Sequence, residues 1–221
     1  MNTKFAIFDL DGTLLDSRAT ITTAMASAFA DLGLPVPGYE ETRRIVGLSL
    51  HPAIEALAPR LPREEYGRLG QAYREAVLRQ RQDGHNEVLY PGARALVDRL
   101  RGQGWRLGIA TGKARRGVRH FLDTHGFADA FDCAFCADDG PGKPDPHMLR
   151  LNLAALEIQP QQAVMIGDTS FDMEMARAAG VYAQGVAWGF HTTEEMLAAG
   201  AHHVAGAFDV LEAQLLARVP A

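Results

Sequence analysis

Two aspartates, one residue apart, stand directly after a short apolar run near the start of the chain. The run is Phe5–Phe8, and the stretch DLDGT at residues 9–13 follows it. Two carboxylates at the end of a buried strand repel each other and are costly to bury unless cations offset them. Such a pair suits a reaction in which Asp9 attacks as a nucleophile while Asp11 moves a proton. Gly12 permits a sharp turn that directs backbone amides at an anion.

Chemically active side chains also follow three other predicted strands. Thr111 and Gly112 end the second strand, Lys143 lies in a Gly-Lys-Pro stretch after the third, and Asp168 ends the fourth with Asp172 one helical turn beyond. Ligands of open α/β sheets bind outside the carboxyl ends of the strands, so these residues are expected to converge with the aspartate pair. Few cores would accept so many unpaired charges without a functional reason.

The carboxylates of this set favour a particular metal. No His or Cys belongs to the set, and oxygen ligands suit a hard cation, of which Mg²⁺ is the leading candidate. Mg²⁺ in proteins commonly binds one or two carboxylates together with substrate phosphate oxygens. Lys143 and Thr111 would then hold the remaining phosphate oxygens. The pattern predicts phosphate chemistry in which Mg²⁺ and Lys143 offset the repulsion between Asp9 and Asp11.

The hydrophobic pattern predicts an α/β fold that would position these residues. Strands are predicted at Phe5–Asp9, Trp105–Ala110, Phe131–Phe135, Ala163–Ile166 and Val181–Val186. Helices are predicted between the last four strands, at Ala114–His125, Pro146–Leu156 and Ser170–Ala179. Strands that alternate with helices predict a Rossmann-like parallel sheet with helices on both faces.

Almost a hundred residues separate the first predicted strand from the second. A structureless loop of that length is implausible in a compact domain, and the segment shows apolar residues at helical spacing. Examples are Ile21, Met25 and Phe29 in one run and Tyr66, Leu69 and Tyr73 in another. We therefore expect residues 18–87 to form a helical cap domain, inserted into a Rossmann-like core made of residues 1–17 and 88–221.

Composition excludes several classes of protein. The chain has 221 residues, 47% of them hydrophobic, and a formal net charge of -5, which argues against nucleic-acid binding. Neither a signal peptide nor an apolar stretch of membrane-spanning length is evident, so no membrane partner and a cytoplasmic location are expected. Cys133 and Cys136 form a single C-x-x-C pair, which we interpret as two ordinary thiols near a strand rather than a redox or metal site.

Taken together, the motifs resemble those of the haloacid dehalogenase-like superfamily, in order and from residue 4 to about residue 190. The matching residues are Asp9-x-Asp11-Gly12-Thr13, Thr111, Lys143 and Gly167-Asp168-x-x-x-Asp172. The helical insertion resembles the type-one cap of the phosphoglycolate-phosphatase-like branch. The resemblance implies a Rossmann-like catalytic core and a phosphatase that depends on Mg²⁺.

The resemblance also implies roles for single residues. Asp9 forms an aspartyl-phosphate and ligates Mg²⁺, while Asp11 is the general acid and base and lends its backbone carbonyl to the metal. Thr111, with its neighbour Gly112, and Lys143 bind the phosphoryl group. Asp168 ligates Mg²⁺ directly or through water. Supporting positions are Asp172, Gly12 and Thr13.

The identity of the substrate stays open at this point. Asp11 speaks against a dehalogenase, and Thr13 favours a phosphatase over a sugar-phosphate mutase. A phosphatase for a small phosphorylated metabolite, phosphoglycolate foremost, is the leading hypothesis. Alternatives are a pyrophosphatase, a nucleotide or sugar-phosphate phosphatase, a β-phosphoglucomutase-like phosphotransferase and a non-enzymatic phosphometabolite-binding module. The pattern is compatible with a monomer or a homodimer.

Basic side chains occur after the second motif and in the predicted cap. Lys113, Arg115 and Arg116 are expected to form a solvated helix face rather than to bind phosphate. In the predicted cap, Arg43, Arg44 and His51 are either solvated or reach a carboxylate or second phosphate of the substrate.

Overall fold

Six parallel strands form the central sheet of the protein, for which a computed structural model describes residues 4–218. In chain order, with a separate two-stranded ribbon included, the strands are β1 Phe5–Phe8, β2 Leu15–Asp16, β3 Val88–Leu89, β4 Arg106–Thr111, β5 Cys133–Cys136, β6 Ala163–Gly167, β7 Tyr182–Val186 and β8 His203–Ala205. The order across the large sheet is β5-β4-β1-β6-β7-β8. Strands β1 and β6 lie side by side at its centre and are buried along their whole length, as expected for parallel strands covered on both faces.

Helices cover both faces of this sheet. They are α5 Ala93–Gly102, α6 Arg115–Thr124, α7 His147–Leu156, α8 Ser170–Ala178, α9 Thr193–Ala198 and α10 Phe208–Ala217. One apolar layer holds Leu96 and Phe121 against the sheet, and the opposite layer holds Leu149 and Met173. The predicted Rossmann-like fold, with a parallel sheet between two helical layers, is confirmed.

Four further helices lie between β2 and β3. They are α1 Arg18–Asp31, α2 Tyr39–Arg43, α3 Leu50–Leu57 and α4 Tyr66–Gln82, and we call the segment Arg18–Gln82 the helical insert. It has its own apolar cluster, to which Met25, Phe29 and Leu69 contribute. Because β2 and β3 pair in antiparallel register, the chain leaves the core and returns to it at one place.

The strand predictions missed three elements and placed the ends of the other five strands within one or two residues of those observed. β2 and β3 have two residues each and β8 has three, too few to show a periodicity. β5 begins at Cys133 rather than at Phe131 because the ring of Phe131 turns into an aromatic cluster with Phe8 and Phe127. Among residues 4–218, no helix combines the length and the apolar character that crossing a membrane requires.

Candidate active site

Asp9 lies at the carboxyl end of β1, and its side chain is almost completely buried. Its Oδ1 accepts a hydrogen bond from the Leu10 amide at 2.7 Å, and its Oδ2 lies 2.8 Å from the Nζ of Lys143. Burial raises the pKa of Asp9 to about 6; Lys143 opposes this shift, whereas Asp172 and Asp11 add to it. The carboxylate is therefore fixed in direction and held beside one cation.

Lys143 is shared by two carboxylates. Its Nζ lies 2.6 Å from Asp172 Oδ1 in addition to its contact with Asp9, and both side chains of the Lys143–Asp172 pair are inaccessible to solvent. Asp172 stands in the first turn of α8, where its Oδ2 accepts hydrogen bonds from the amide of Thr169 at 3.1 Å and from its hydroxyl at 2.7 Å. Asp172 thus takes part in the N-terminal capping box of α8 and at the same time orients Lys143 toward Asp9.

Asp168 follows β6 and is fully buried. Its Oδ1 accepts a hydrogen bond from the Thr13 hydroxyl at 2.8 Å, and its Oδ2 accepts one from the Phe190 amide at 2.8 Å. Burial, with repulsion from Asp9 and Asp172, holds the pKa of Asp168 well above its ordinary value. A cation bound beside it would remove this penalty.

Gly12 makes the close approach between the first motif and Asp168 possible. Its φ is +76°, and a Cβ at this position would lie 2.1 Å from Asp168 Oδ2. A side chain is therefore excluded both by backbone conformation and by space. Gly12 and Thr13 lie against Asp168, while Asp9 and Asp11 stand on the same turn.

The carboxylates offer a set of ligands that fits a hard divalent cation. Oxygen atoms of Asp9, Asp168 and Asp172 lie within 4.8 Å of one another, and all three residues are buried. Because the ammonium of Lys143 already lies between Asp9 and Asp172, the pair formed by Asp9 and Asp168 is the better placed to hold a metal. An all-oxygen set of this kind suits Mg²⁺ better than a softer metal.

The second motif lies at the end of the neighbouring strand. Thr111 is buried, and its hydroxyl accepts a hydrogen bond from the Lys113 amide at 3.3 Å. A Cβ at Gly112 would lie 2.7 Å from the carbonyl oxygen of Gly47 and 2.8 Å from that of Leu48. The helical insert therefore rests directly on this edge of the sheet.

The expectation for Lys113 was wrong. Its Nζ lies 2.8 Å from Asp11 Oδ1 and 2.8 Å from Glu87 Oε1, and only 12% of its side chain is exposed. Arg115 is half-buried and pairs with Asp139, and Arg116 is exposed as expected. Glu87 had not been identified from the sequence, because nothing in its neighbourhood marks a site residue.

The cations of the helical insert are partly committed to other contacts. Arg43 pairs with Glu195 of α9 at 3.0 Å, so it joins the insert to the core rather than offering a free guanidinium to substrate. Arg44 is exposed. His51 is exposed, packs edge-on against the Tyr66 ring and also lines the cavity described next.

A cavity of about 400 Å³ lies between the helical insert and the carboxyl edge of the sheet. Apolar side chains of the insert form one wall, among them Ile21, Met25, Val46, Val77 and Leu78. Polar and charged side chains of the core and the returning linker form the other, among them Asp9, Asp11, Glu87, Thr111 and Lys113. The volume is in the range of sites for small organic ligands, and both candidate catalytic aspartates face it.

Comparisons with known proteins agree with this geometry. A probable phosphatase, IndB of Dickeya dadantii, is 36% identical over 200 residues, which cover 87% of this chain and 85% of that protein. A phosphoglycolate phosphatase of Pseudomonas putida is 32% identical over 195 residues, covering 85% and 71%. The crystal structure of a hydrolase from Pseudomonas syringae matches with a TM-score of 0.87 and 26% identity, covering 97% of this chain and 98% of that one.

A family-level comparison identifies the family. The profile described as haloacid dehalogenase-like hydrolase matches residues 6–186, from β1 to the end of β7. This range contains all the motif residues discussed above, and the resemblance drawn from them is confirmed. The chain belongs to the haloacid dehalogenase-like hydrolases, in their phosphoglycolate-phosphatase-like branch, and is a phosphatase.

Proposed function

We propose that the protein is a Mg²⁺-dependent phosphomonoesterase that works through an aspartyl-phosphate on Asp9. The observation that carries the proposal is that the side chains of Asp9, Asp168 and Lys143 are buried close together at the carboxyl edge of the sheet. Phosphatases of this family are generally metal-dependent, which agrees with the acidic cluster. When bound, Mg²⁺ would offset the negative charge of the carboxylates and of the phosphoryl oxygens.

The chain's own residues account for both halves of the cycle. An oxygen of Asp9 bonds to phosphorus while the ester P–O bond breaks, and the departing alcohol oxygen takes a proton from Asp11. Water then attacks the acyl-phosphate, its proton passes to Asp11, and free phosphate leaves with Asp9 restored. Lys143 and Thr111 hold the phosphoryl oxygens throughout, and the Gly112 amide is a further candidate donor to them. The insert, resting on Gly112, limits access of bulk water.

The proposed substrate is a small phosphorylated metabolite, with phosphoglycolate as the first candidate. Relatives 32% and 34% identical to this chain are phosphoglycolate phosphatases, which supports that choice. The cavity of about 400 Å³ also has room for a larger leaving group, so sugar phosphates, nucleoside monophosphates and pyrophosphate belong in the same test.

The test is phosphate release from these compounds with Mg²⁺ and again with a chelator. We expect release that the chelator abolishes, and no turnover by a folded Asp9→Asn protein. A mutase would convert a sugar phosphate without releasing phosphate, and a binding module would bind it without turnover. Near-normal release by Asp9→Asn would disprove the nucleophile, and undiminished release under chelator would disprove the metal dependence.

A further inference from the structure

A chain of buried charges outside the family motifs runs from Asp11 to the linker through which the insert returns to the core. Lys113 Nζ lies 2.8 Å from Asp11 Oδ1 and 2.8 Å from Glu87 Oε1. Glu87 Oε2 in turn lies 3.5 Å from Arg81 at the end of α4. The exposed fractions of the Lys113 and Glu87 side chains are 12% and 7%, so water screens this pair far less than a surface ion pair.

The backbone on each side of this chain is fixed. Lys113 donates its amide to Thr111 Oγ1 and accepts at its carbonyl a hydrogen bond of 3.1 Å from the Ala137 amide. Glu87 directly precedes β3, which pairs with β2. The ammonium is therefore held between a catalytic turn and the ribbon that joins insert and core.

Lys113 lies beside a different aspartate from the proposed nucleophile. Its ammonium lies 2.8 Å from Asp11 Oδ1 and 2.8 Å from Glu87 Oε1. The cation beside the nucleophile is Lys143, whose Nζ lies 2.8 Å from Asp9 Oδ2. The two lysines thus serve different aspartates, and Lys113 serves the one proposed to move the proton.

We propose that Lys113 is a positioning residue that holds the Asp11 carboxylate toward the leaving oxygen, and that Glu87 holds Lys113 in place. The proposal rests on the acid–base role of Asp11 proposed above. The proton that Asp11 takes from the attacking water in one turnover is the one it donates in the next. While Asp11 carries that proton, Glu87 remains as the charge partner of the ammonium, so Asp11 can turn toward substrate without leaving a buried cation unpaired. The linker of the insert thereby contributes a residue to the geometry of the proton transfer.

Leaving-group dependence distinguishes this role from a structural one. An alkoxide must be protonated as it departs, whereas p-nitrophenolate departs without a proton. The ratio kcat/KM reports the steps up to departure of the alcohol, so later hydrolysis of the acyl-phosphate does not obscure the comparison. A side chain that acts through Asp11 matters for alkyl phosphates and has little effect on p-nitrophenyl phosphate.

The experiment measures kcat/KM for ethyl phosphate, phosphoglycolate and p-nitrophenyl phosphate in Lys113→Met. General acid catalysis contributes about 10²–10⁴-fold, so we expect a loss of about 10–10²-fold on both alkyl phosphates and less than about 3-fold on p-nitrophenyl phosphate. Lys113→Arg should recover part of the loss, and Glu87→Gln should show the same pattern more weakly. Arg119→Met, an exposed cation on α6, is the control and should match the wild type.

Each alternative has its own outcome. Equal losses on all three phosphates, or no loss, would overturn the proposal, and a loss on phosphoglycolate alone would make Lys113 a ligand for the substrate carboxylate. If Lys113→Met does not fold, the charge-balanced Lys113→Met/Glu87→Gln protein is assayed against the same criteria. Asp11→Asn distinguishes a failure of the proposed function from a failure of this inference. If Asp11→Asn loses kcat/KM equally on alkyl phosphates and p-nitrophenyl phosphate, the acid–base role of Asp11 is wrong. If Asp11→Asn shows the larger loss on alkyl phosphates but Lys113→Met does not, only the role of Lys113 is rejected.

Discussion

Replacing Gly112 by alanine tests whether the enzyme is active when the helical insert contacts the sheet edge as observed. The new Cβ would lie 2.7 Å from the Gly47 carbonyl oxygen and 2.8 Å from that of Leu48, closer than Cβ atoms are found to such neighbours. Gly112 is not among the positive-φ glycines, so alanine is compatible with its backbone conformation. The substitution keeps the amide N–H of residue 112, and the conflict is confined to the contact with the insert.

The size of the effect follows from these distances. To reach an ordinary contact of 3.4 Å, the two oxygens must withdraw by about 0.7 and 0.6 Å from their present 2.7 and 2.8 Å. A displacement approaching 1 Å in a catalytic site costs up to about 10²-fold, so we expect kcat/KM to fall by about 10–10²-fold. The free energy of unfolding should fall by only about 1 kcal/mol, the lower end for an overpacked contact, because the segment around Gly47 can move outward.

The assay compares p-nitrophenyl phosphate kinetics and urea unfolding for the wild type, Gly112→Ala and a glycine control. Gly67→Ala in α4 is the control, since a Cβ there meets nothing within 4 Å and should stabilise the helix by up to about 1 kcal/mol without changing activity. Wild-type kcat/KM in Gly112→Ala would refute the reasoning that this contact belongs to the active state. A decrease of about 3 kcal/mol or more in the free energy of unfolding would refute the reasoning that the segment around Gly47 can move outward.

Three further predictions concern charged groups. Lys143→Ala leaves Asp9 and Asp172 buried without their shared ammonium and should lower the free energy of unfolding by about 3–5 kcal/mol in urea melts; a loss below about 1 kcal/mol would contradict this. Because burial raises the pKa of Asp9 from 3.8 to about 6, the metal-free protein gains stability from the protonated carboxyl below pH 3.8 and loses it as pH rises through about 6. Mg²⁺ should therefore raise Tm more at about pH 7.5 than at about pH 5 in scanning fluorimetry, and equal shifts would speak against binding at this carboxylate. A double-mutant cycle of Arg43→Met and Glu195→Gln should give a coupling of about 0.5–1 kcal/mol in unfolding, whereas strictly additive losses would show that this pair does not hold the insert to the core.

The parts of the site that lie at strand ends could be predicted from the sequence because the fold brings such positions together. β1 and β6 are short apolar runs, each followed at once by an aspartate, and parallel neighbours necessarily present Asp9 and Asp168 at the same edge. The same argument placed Thr111 on β4. No exact register was needed, because only the direction of each strand and its last residue enter the prediction.

The contacts that join the insert to the core could not be predicted in this way. Lys113 and Glu87 are 26 residues apart and Arg43 and Glu195 are 152 apart, so neither pair shares an element whose periodicity relates the two side chains. The local pattern was even misleading for Lys113, because two arginines follow it closely and like charges at that spacing are typical of a solvated helix face. Its partner Glu87 directly precedes β3, and the strands β2 and β3, with two residues each, show no periodicity that could be recognised in the sequence.

The charges at the sheet edge divide into two similar groups. Each lysine lies between two carboxylates: Lys143 between Asp9 and Asp172, and Lys113 between Asp11 and Glu87. The Lys143 group therefore carries one net negative charge, whereas Arg81, 3.5 Å from Glu87, balances the charge of the Lys113 group. The proposed nucleophile and the proposed acid–base group are stabilised by separate cations. This separation allows two aspartates one residue apart to be held in different environments, which is the condition for different roles.

Asp168 belongs to neither group. In the described part of the chain its oxygens accept hydrogen bonds from Thr13 and Phe190, and no ammonium or guanidinium group pairs with it, although it is fully buried. A buried carboxylate without a counter-charge is expensive, and its raised pKa expresses that cost. Protonation would relieve this cost in the isolated chain, whereas a divalent cation shared with Asp9 would relieve it at neutral pH and would leave both carboxylates ionised. The charge balance of the whole edge therefore favours a metal at Asp9 and Asp168, independently of the family to which the chain belongs.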